Sequence, residues 1–298
     1  MNEVKKGNKF LNPIDLQLIE LAIREDLGVP PRDLTTRSLF LQDQKPSKSY
    51  HAHILSKEKG PVVICGLEVI QRVFQDLDQG HSIETNYHDG DTLSAGETLL
   101  TIKDSTAQFL SAERIALNFL GHLSAIATLT AKFVEQIKDT PLKILDTRKT
   151  TPGMRHLEKY AVQCGGGVNH RFGLYDAMLI KNNHIDLYGG VENVLEKLPS
   201  LKAQDYPVIL EIRNIEECKI VAQHGQDKIN RLLFDNMSLK DLKTCVSECN
   251  GKIETEVSGG ITLKNISAIA QTGVQFASIG MLTHSPGQID FAMHVFDV

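Results

Sequence analysis

Tryptophan is absent from this 298-residue chain, and aromatic residues make up only 6% of it. Its five cysteines (Cys65, Cys164, Cys218, Cys245, Cys249) form no framework spacing. An odd count without CxxC excludes a disulfide scaffold and a zinc finger, and it points to a reducing cytoplasm. Cys245 and Cys249 stand i,i+4 on an expected helix and could share a metal. With no neighbouring histidine they read instead as small, partly buried residues. No run of 18 apolar residues occurs, so no membrane span is expected. The opening MNEVKKGNKFLNPID lacks the apolar core of a signal peptide. HExxH, GxSxG and GxGxxG are missing, so zinc hydrolysis, serine chemistry and hydride transfer lose support. A formal net charge of -5, with no basic stripe interleaved with aromatics, argues against nucleic acid as a partner.

Against that acidic background one window is basic. Lys143–Ile185 holds Arg148, Lys149, Arg155, Lys159, Arg171 and Lys181 with His156, His170 and His184, against the acids Asp146, Glu158 and Asp176. Several of these cations sit in Gly-, Thr- and Asn-rich connections directly after short apolar runs, where scaffolds mount chemistry. A cationic pocket in an acidic protein implies a small substrate with several negative charges.

The length suits one barrel or two ordinary domains. Asn12-Pro13 signals a helix over 14–26, stopped by Gly28. Strand patterns follow at 50–56, 61–65, 81–87 and 98–102, with a helix at 67–77, and the region to about 105 reads as mixed α+β. A helical stretch from 107 to 138 is expected in two pieces parted near Gly121. Beyond Pro141 the rhythm becomes short apolar strand, polar loop, amphipathic helix. Strands are expected at 143–146, 177–180, 208–212, 231–235, 252–257 and 276–280, with helices at 153–164, 191–198, 215–224, 238–249 and 262–272. Repeated βα units predict a parallel (β/α) barrel of eight strands or fewer; a doubly wound open sheet is the rival.

Every expected strand ends in a polar, charged or Gly-rich element: Asp146-Thr147-Arg148-Lys149, Lys181-Asn182-Asn183-His184, Glu211, Asp235-Asn236, Ser258-Gly259-Gly260 and Gly280. Barrel active sites are built at that rim. Ser258–Gly260 and Ile279-Gly280-Met281, on successive strands, suit a phosphate site, with a plain tight turn as the bland alternative. Arg148, Lys149, His170, Arg171 and Lys181 suit carboxylates or phosphates. Lys181 could alternatively serve as a Schiff-base lysine. Glu211 and Asp235 could hold a divalent cation or ribose hydroxyls, stabilise a cationic transition state, or simply neutralise the cations opposite. Gly165–Gly167 is followed by no GK[ST] and reads as a helix breaker that releases Asn169-His170-Arg171.

The segment TRKTTPGMRHLEKYAVQCGGGVNHRFGLYDAMLIKNNHI closely resembles the signature of the quinolinate phosphoribosyltransferases. The resemblance covers almost the whole chain: Glu25–Thr36, Asp89–Ile102, Ser111–Thr128, Phe234–Ser238, Glu256–Ile261 and Ser278–Ser285. It implies an N-terminal α/β sandwich domain (1–116, completed by 284–298) and an incomplete, seven-stranded α/β barrel (117–283). It implies a homodimer, or an oligomer of dimers. The implied reaction joins quinolinate to 5-phosphoribosyl-1-pyrophosphate with Mg²⁺, giving nicotinate mononucleotide, pyrophosphate and CO₂ on the de novo route to NAD.

By the same resemblance Arg148, Lys149, His170 and Arg171, with Thr147 beside them, bind the two carboxylates of quinolinate. Arg114 reaches the neighbouring subunit's site. Lys181, Glu211 and Asp235 act near the phosphoribosyl donor and its metal, and Ser258, Gly259, Gly260, Ile279, Gly280 and Met281 hold the 5′-phosphate. The chain departs from the family pattern at Asn182, where the family has an acid, and at Arg213, an added cation; both bear on metal affinity. A paralogous transferase with another acceptor and a barrel that binds without turnover are the rival readings.

Overall fold

Asn12 opens the first helix, Pro13–Leu27. Its Oδ1 accepts the amides of Ile14 and Asp15 at 2.8 and 3.0 Å, and Asp15 accepts the Asn12 amide at 2.8 Å. This reciprocal cap satisfies donors that a helix start leaves open. The computed structural model describes residues 10–41, 50–77, 80–105, 107–201 and 206–297. Residues 1–9 of the stretch read for a leader, and Val298 of the 284–298 segment, lie outside them.

In strand Tyr50–Ser56 alternation buries Ala52, Ile54 and Ser56. It lies between Phe291–Asp297 and Thr98–Ser105 in an antiparallel four-stranded sheet whose other edge is Ser82–Glu84. Helix Leu67–Leu77 contributes buried Val69, Ile70, Val73 and Phe74.

Helix Leu110–Gln136 runs unbroken where the sequence predicts two pieces. Gly121 serves a close approach instead. A Cβ there would lie 2.6 Å from the Ile289 carbonyl oxygen, and the Gly121 carbonyl accepts the Ile289 amide at 3.2 Å. By length and composition this helix could cross a bilayer, but 67% of its most apolar window is buried, as in a core helix.

Contacts divide the chain into two compact units: residues up to 129 with 151–165 and 285–298, and residues 130–150 with 166–284. The sequence reading instead places the breaks at 116/117 and 283/284. Residues 117–129 belong to the first unit, where Ser124 Oγ and Thr128 Oγ1 accept the Cys65 and Val63 amides at 3.1 and 3.0 Å. Helix Arg155–Cys164 belongs to it as well, and there the buried Glu158 accepts the Thr151 amide and pairs with His122 Nε2 at 2.9 Å.

The second unit holds six parallel strands. Their spatial order is Lys143–Leu145, Phe276–Ser278, Glu254–Ser258, Arg231–Asp235, Val208–Ile212 and Met178–Ile180. The first strand in the chain lies against the last, and the others follow in chain order. A doubly wound sheet would instead reverse at a switch point, so the sheet has the cyclic order of a barrel. The cycle stays open between Lys143–Leu145 and Met178–Ile180. On the free edge of the former, Val168 makes one parallel bridge to Leu145. Six strands and this bridge are what the described residues present of the seven-stranded barrel.

Local chemistry sets the helix starts in this unit. Asn214 accepts the Glu217 amide at 2.8 Å to open Ile215–His224, and Ser238 does the same for Asp241 at the start of Leu239–Cys249. Cys218, Cys245 and Cys249 are buried free thiols. No metal-holding group of three or more His, Cys, Asp or Glu occurs among the described residues.

Candidate active site

Because strand side chains alternate, one parity of each strand faces the barrel interior. Here it is Leu179 and Lys181; Glu211; Leu233 and Asp235; Glu256 and Ser258; Ser278 and Gly280, all lining one cavity of about 680 Å³. The register explains the layering. Glu211 and Glu256 both stand opposite Leu233, while one pleat higher Ser258 stands opposite both Asp235 and Ser278. A buried layer with two acids lies beneath a polar rim.

The cationic wall comes from the loops after Lys143–Leu145 and before Met178–Ile180. Asp146, fully buried, accepts the Asn169 amide group at 2.5 Å and the His170 backbone amide at 2.8 Å. These bonds fix the segment that carries Arg171. Arg171 Nη1 donates to the Ala177 carbonyl at 2.9 Å, while its Nε is buried with no hydrogen-bond partner among the described residues. Burial, reinforced by Arg148, pulls the Arg171 pKa below the usual arginine value, with Asp176 acting the other way. Asp176 accepts the Phe172 and Gly173 amides at 2.6 and 2.9 Å and so braces the turn after Arg171. Lys149 is anchored through its backbone: its amide donates to Thr147 Oγ1 at 3.0 Å, and its carbonyl accepts Thr283 Oγ1 at 2.7 Å. A half-buried guanidinium with a buried, open Nε donor beside two further cations is a receptor for a compact polyanion.

Opposite lie the acids and glycine turns. Asp235 Oδ1 accepts Ser258 Oγ at 3.0 Å and Asn236 Nδ2 at 3.1 Å. Glu211 Oε1 accepts the Asn182 amide at 3.3 Å. Gly259 has φ +90°, and any Cβ on it would overlap the Asn236 carboxamide. Lys181 is exposed at the rim, without the desolvation that activates a Schiff-base lysine.

The cavity gathers Thr147, Arg148, Lys149, His170, Arg171, Lys181, Glu211, Asp235, Ser258, Gly259, Gly260, Ile279, Gly280 and Met281. Arg114 is not among its lining residues; it is exposed on helix Leu110–Gln136, in the first unit. The basic island therefore divides. Arg155, His156 and Lys159 belong to the first unit, where His156 Nδ1 meets Asp15 at 2.7 Å and Lys159 is fully buried. Arg213 lies outside the cavity and pairs with Asp186 at 2.9 Å and Glu217 at 3.0 Å. Sequence reasoning gave no role to Glu256 and His284, which also line the cavity, and named Asn236 only as part of a polar strand end. The parity of Glu256 with Ser258 was the available signal.

Mg²⁺ prefers oxygen ligands and is commonly held by one or two carboxylates together with substrate phosphates. Hydrogen bonds among the described residues use only Oε1 of Glu211 and Oδ1 of Asp235. The residues therefore fit such an ion.

A cyclically ordered parallel sheet with a cation-lined cavity and glycine turns at its strand ends defines a phosphate-handling α/β-barrel enzyme. The family model of the quinolinate phosphoribosyl transferase N-terminal domain matches residues 33–124, and that of the C-terminal domain matches residues 126–294. The chain belongs to the quinolinate phosphoribosyltransferase family. It is 39% identical over 271 residues to a probable nicotinate-nucleotide pyrophosphorylase (carboxylating) of Bacillus subtilis, covering 91% of this chain and 90% of the relative. It is 34% identical to the chloroplastic nicotinate-nucleotide pyrophosphorylase (carboxylating) of Arabidopsis thaliana, covering 93% and 82%. The structure of the nicotinate-nucleotide pyrophosphorylase from Francisella tularensis superposes with a TM-score of 0.87 at 34% identity, covering 98% of this chain and all of that one.

Proposed function

We propose that this chain transfers the phosphoribosyl group of 5-phosphoribosyl-1-pyrophosphate to quinolinate with decarboxylation, giving nicotinate mononucleotide, pyrophosphate and CO₂ for NAD biosynthesis. One observation carries the reading: a single cavity joins Arg148, Lys149, Arg171 and Lys181 to glycine turns and to the carboxylates of Glu211, Asp235 and Glu256. That is the charge pattern of a dicarboxylate acceptor facing a phosphorylated donor.

Arg171, through its open Nε, and Arg148 with Lys149 grip the two carboxylates and aim the pyridine nitrogen at C1 of the ribose. Holding both reactants in line removes much of the entropic barrier. The nitrogen–C1 bond forms as the C1–oxygen bond to pyrophosphate breaks, and Glu211 and Asp235 stabilise the positive charge that develops on the ribose. As the carboxylate beside the nitrogen leaves as CO₂, the electron pair of the broken bond stays on that ring carbon, stabilised by the adjacent pyridinium charge, and takes up a proton there. Ser258–Gly260 and Ile279–Met281 hold the 5′-phosphate. Mg²⁺, held by Glu211 and Asp235, would neutralise the charge of the departing pyrophosphate.

The family relationship supports a homodimer in which Arg114 completes the neighbouring subunit's site, and the unpaired cysteines support a reducing compartment. Pyrophosphate release on mixing both substrates tests the reaction, with nicotinate in place of quinolinate as the control. Arg171→Ala should abolish quinolinate turnover and calorimetric binding of quinolinate. Near-normal kinetics in that variant would sink the pocket assignment.

A further inference from the structure

We propose that Glu256 and Arg231 are positioning residues for the carboxylate pocket, holding His170 and, through it, the backbone of Arg171. The inference rests on the reading of Arg171 as a quinolinate ligand.

Glu256 lies in strand Glu254–Ser258 and is wholly buried. A buried charge is costly unless it is paired and hydrogen-bonded, so its partners state its purpose. On one side, Arg231 Nη1 lies 3.1 Å from Glu256 Oε2. Arg231 is itself fixed by Glu254 Oε2 at 2.9 Å and by the Phe276 ring, 3.8 Å beneath its guanidinium carbon. On the other side, Glu256 Oε1 faces His170 Nε2 at 3.3 Å, and the His170 side chain is only 8% exposed. Burial raises the Glu256 pKa, but His170, Ser278 and Arg231 together outweigh it and hold the carboxyl below its ordinary range.

The far edge of the imidazole is engaged too. His170 Nδ1 accepts the Arg171 backbone amide at 2.7 Å. A neutral ring that accepts at Nδ1 carries its proton on Nε2, the atom turned toward Glu256. An ionised carboxylate only accepts, so Glu256 selects that tautomer, and the tautomer keeps Nδ1 available for Arg171. The order of dependence is Arg231, Glu256, His170, Arg171. At 3.3 Å the pair is an electrostatic contact that does not meet hydrogen-bond geometry, leaving Glu256 Oε1 without a hydrogen-bond partner among the described residues. Catalytic contacts are often this loose before substrate arrives.

Nitrogen-15 NMR of the full-length protein, with His170 assigned by comparison with His170→Asn, should show the Nε2–H tautomer. A proton on Nδ1 would overturn the proposal. Kinetically, Glu256→Leu should raise KM for quinolinate at least about tenfold and leave KM for 5-phosphoribosyl-1-pyrophosphate within about twofold. Glu256→Gln, which keeps an acceptor of similar size, should recover part of the defect. Should Glu256→Leu fail to fold because Arg231 loses its counter-charge, the double variant Arg231→Met/Glu256→Leu removes both charges and should show the same split. An unchanged quinolinate KM, or equal rises in both KM values, overturns the proposal. A wild-type protein that binds no quinolinate would instead refute the acceptor assignment, and the NMR result would still judge the positioning chain.

Discussion

Gly259 and Gly280 both line the cavity, yet they are glycine for different reasons. Gly259 needs φ +90° and the space taken by the Asn236 carboxamide, whereas a Cβ on Gly280 would meet side-chain atoms alone, the flexible Lys149 Cδ at 2.9 Å and the His284 ring at 3.3 Å. Gly259→Ala should therefore cost about 1–3 kcal/mol and weaken donor binding. Gly280→Ala should cost less than about 1 kcal/mol while displacing Lys149 and weakening anion binding. Thermal denaturation with ligand titration separates the two, and equal stability losses would contradict this distinction. At this scale the cations of the site were legible, because charge placed directly after a buried strand has few structural uses. Glu256 was not. The glycines that follow it drew attention to the turn, and an acid whose partners are distant in sequence carries no local signature.

Among the elements, helix Leu110–Gln136 sets propensity against packing. Alanine is favoured over glycine inside a helix by about 1 kcal/mol. Gly121→Ala should nevertheless destabilise the protein, by about 1–3 kcal/mol, because its Cβ would press on the Ile289 carbonyl. A raised melting temperature would contradict the packing argument. Asp33 offers a second test. It accepts the Thr36 amide at 3.0 Å, Thr36 Oγ1 at 2.6 Å and Ser111 Oγ at 2.9 Å. The Thr36 hydroxyl, then its amide, hold the Asp33 carboxyl below its ordinary pKa, with burial opposing and Ser111 adding to the effect. A lowered folded-state pKa gives stability that is present above the unfolded value, about 3.9, and lost as pH falls through the lower folded one. Asp33→Ala should thus cost about 1 kcal/mol at pH 7. Melting curves of the two proteins should converge in strong acid, and a constant gap would argue against the cap.

Elements with their own stop signals could be read directly. Val208–Ile212, Arg231–Asp235 and Ile215–His224 fall where the sequence predicts them, the last bounded by Asn214 and Gly225. Asn182–Leu187 was not foreseen, since six residues show no helical period and its leading residue, Lys181, is no ordinary cap. Nor could charge alone reveal that helix Arg155–Cys164 belongs to the first unit. Its buried faces match partners such as Asp15, 141 residues away.

For the whole molecule, the outstanding question is how the proposed dimer divides its labour. If Arg114 serves the neighbouring site, Arg114→Ala and Arg171→Ala proteins should each be inactive, and mixing them should restore roughly a quarter of wild-type activity through heterodimers that hold one intact site. A mixture that stays inactive after verified subunit exchange would remove Arg114 from the site.

The alternation that lines the cavity also sets terms for how this protein can change over generations. Lys181, Glu211, Asp235, Glu256, Ser258 and Gly280 share it by position along their strands and extensions. Inserting or deleting one residue within a strand would turn that strand's contribution outward. The same event in a helix or a distal loop would leave the catalytic ring untouched. Lineages of this barrel should therefore vary freely in length between strands and hardly at all within them. The active site is inherited as a count as much as a set of residues.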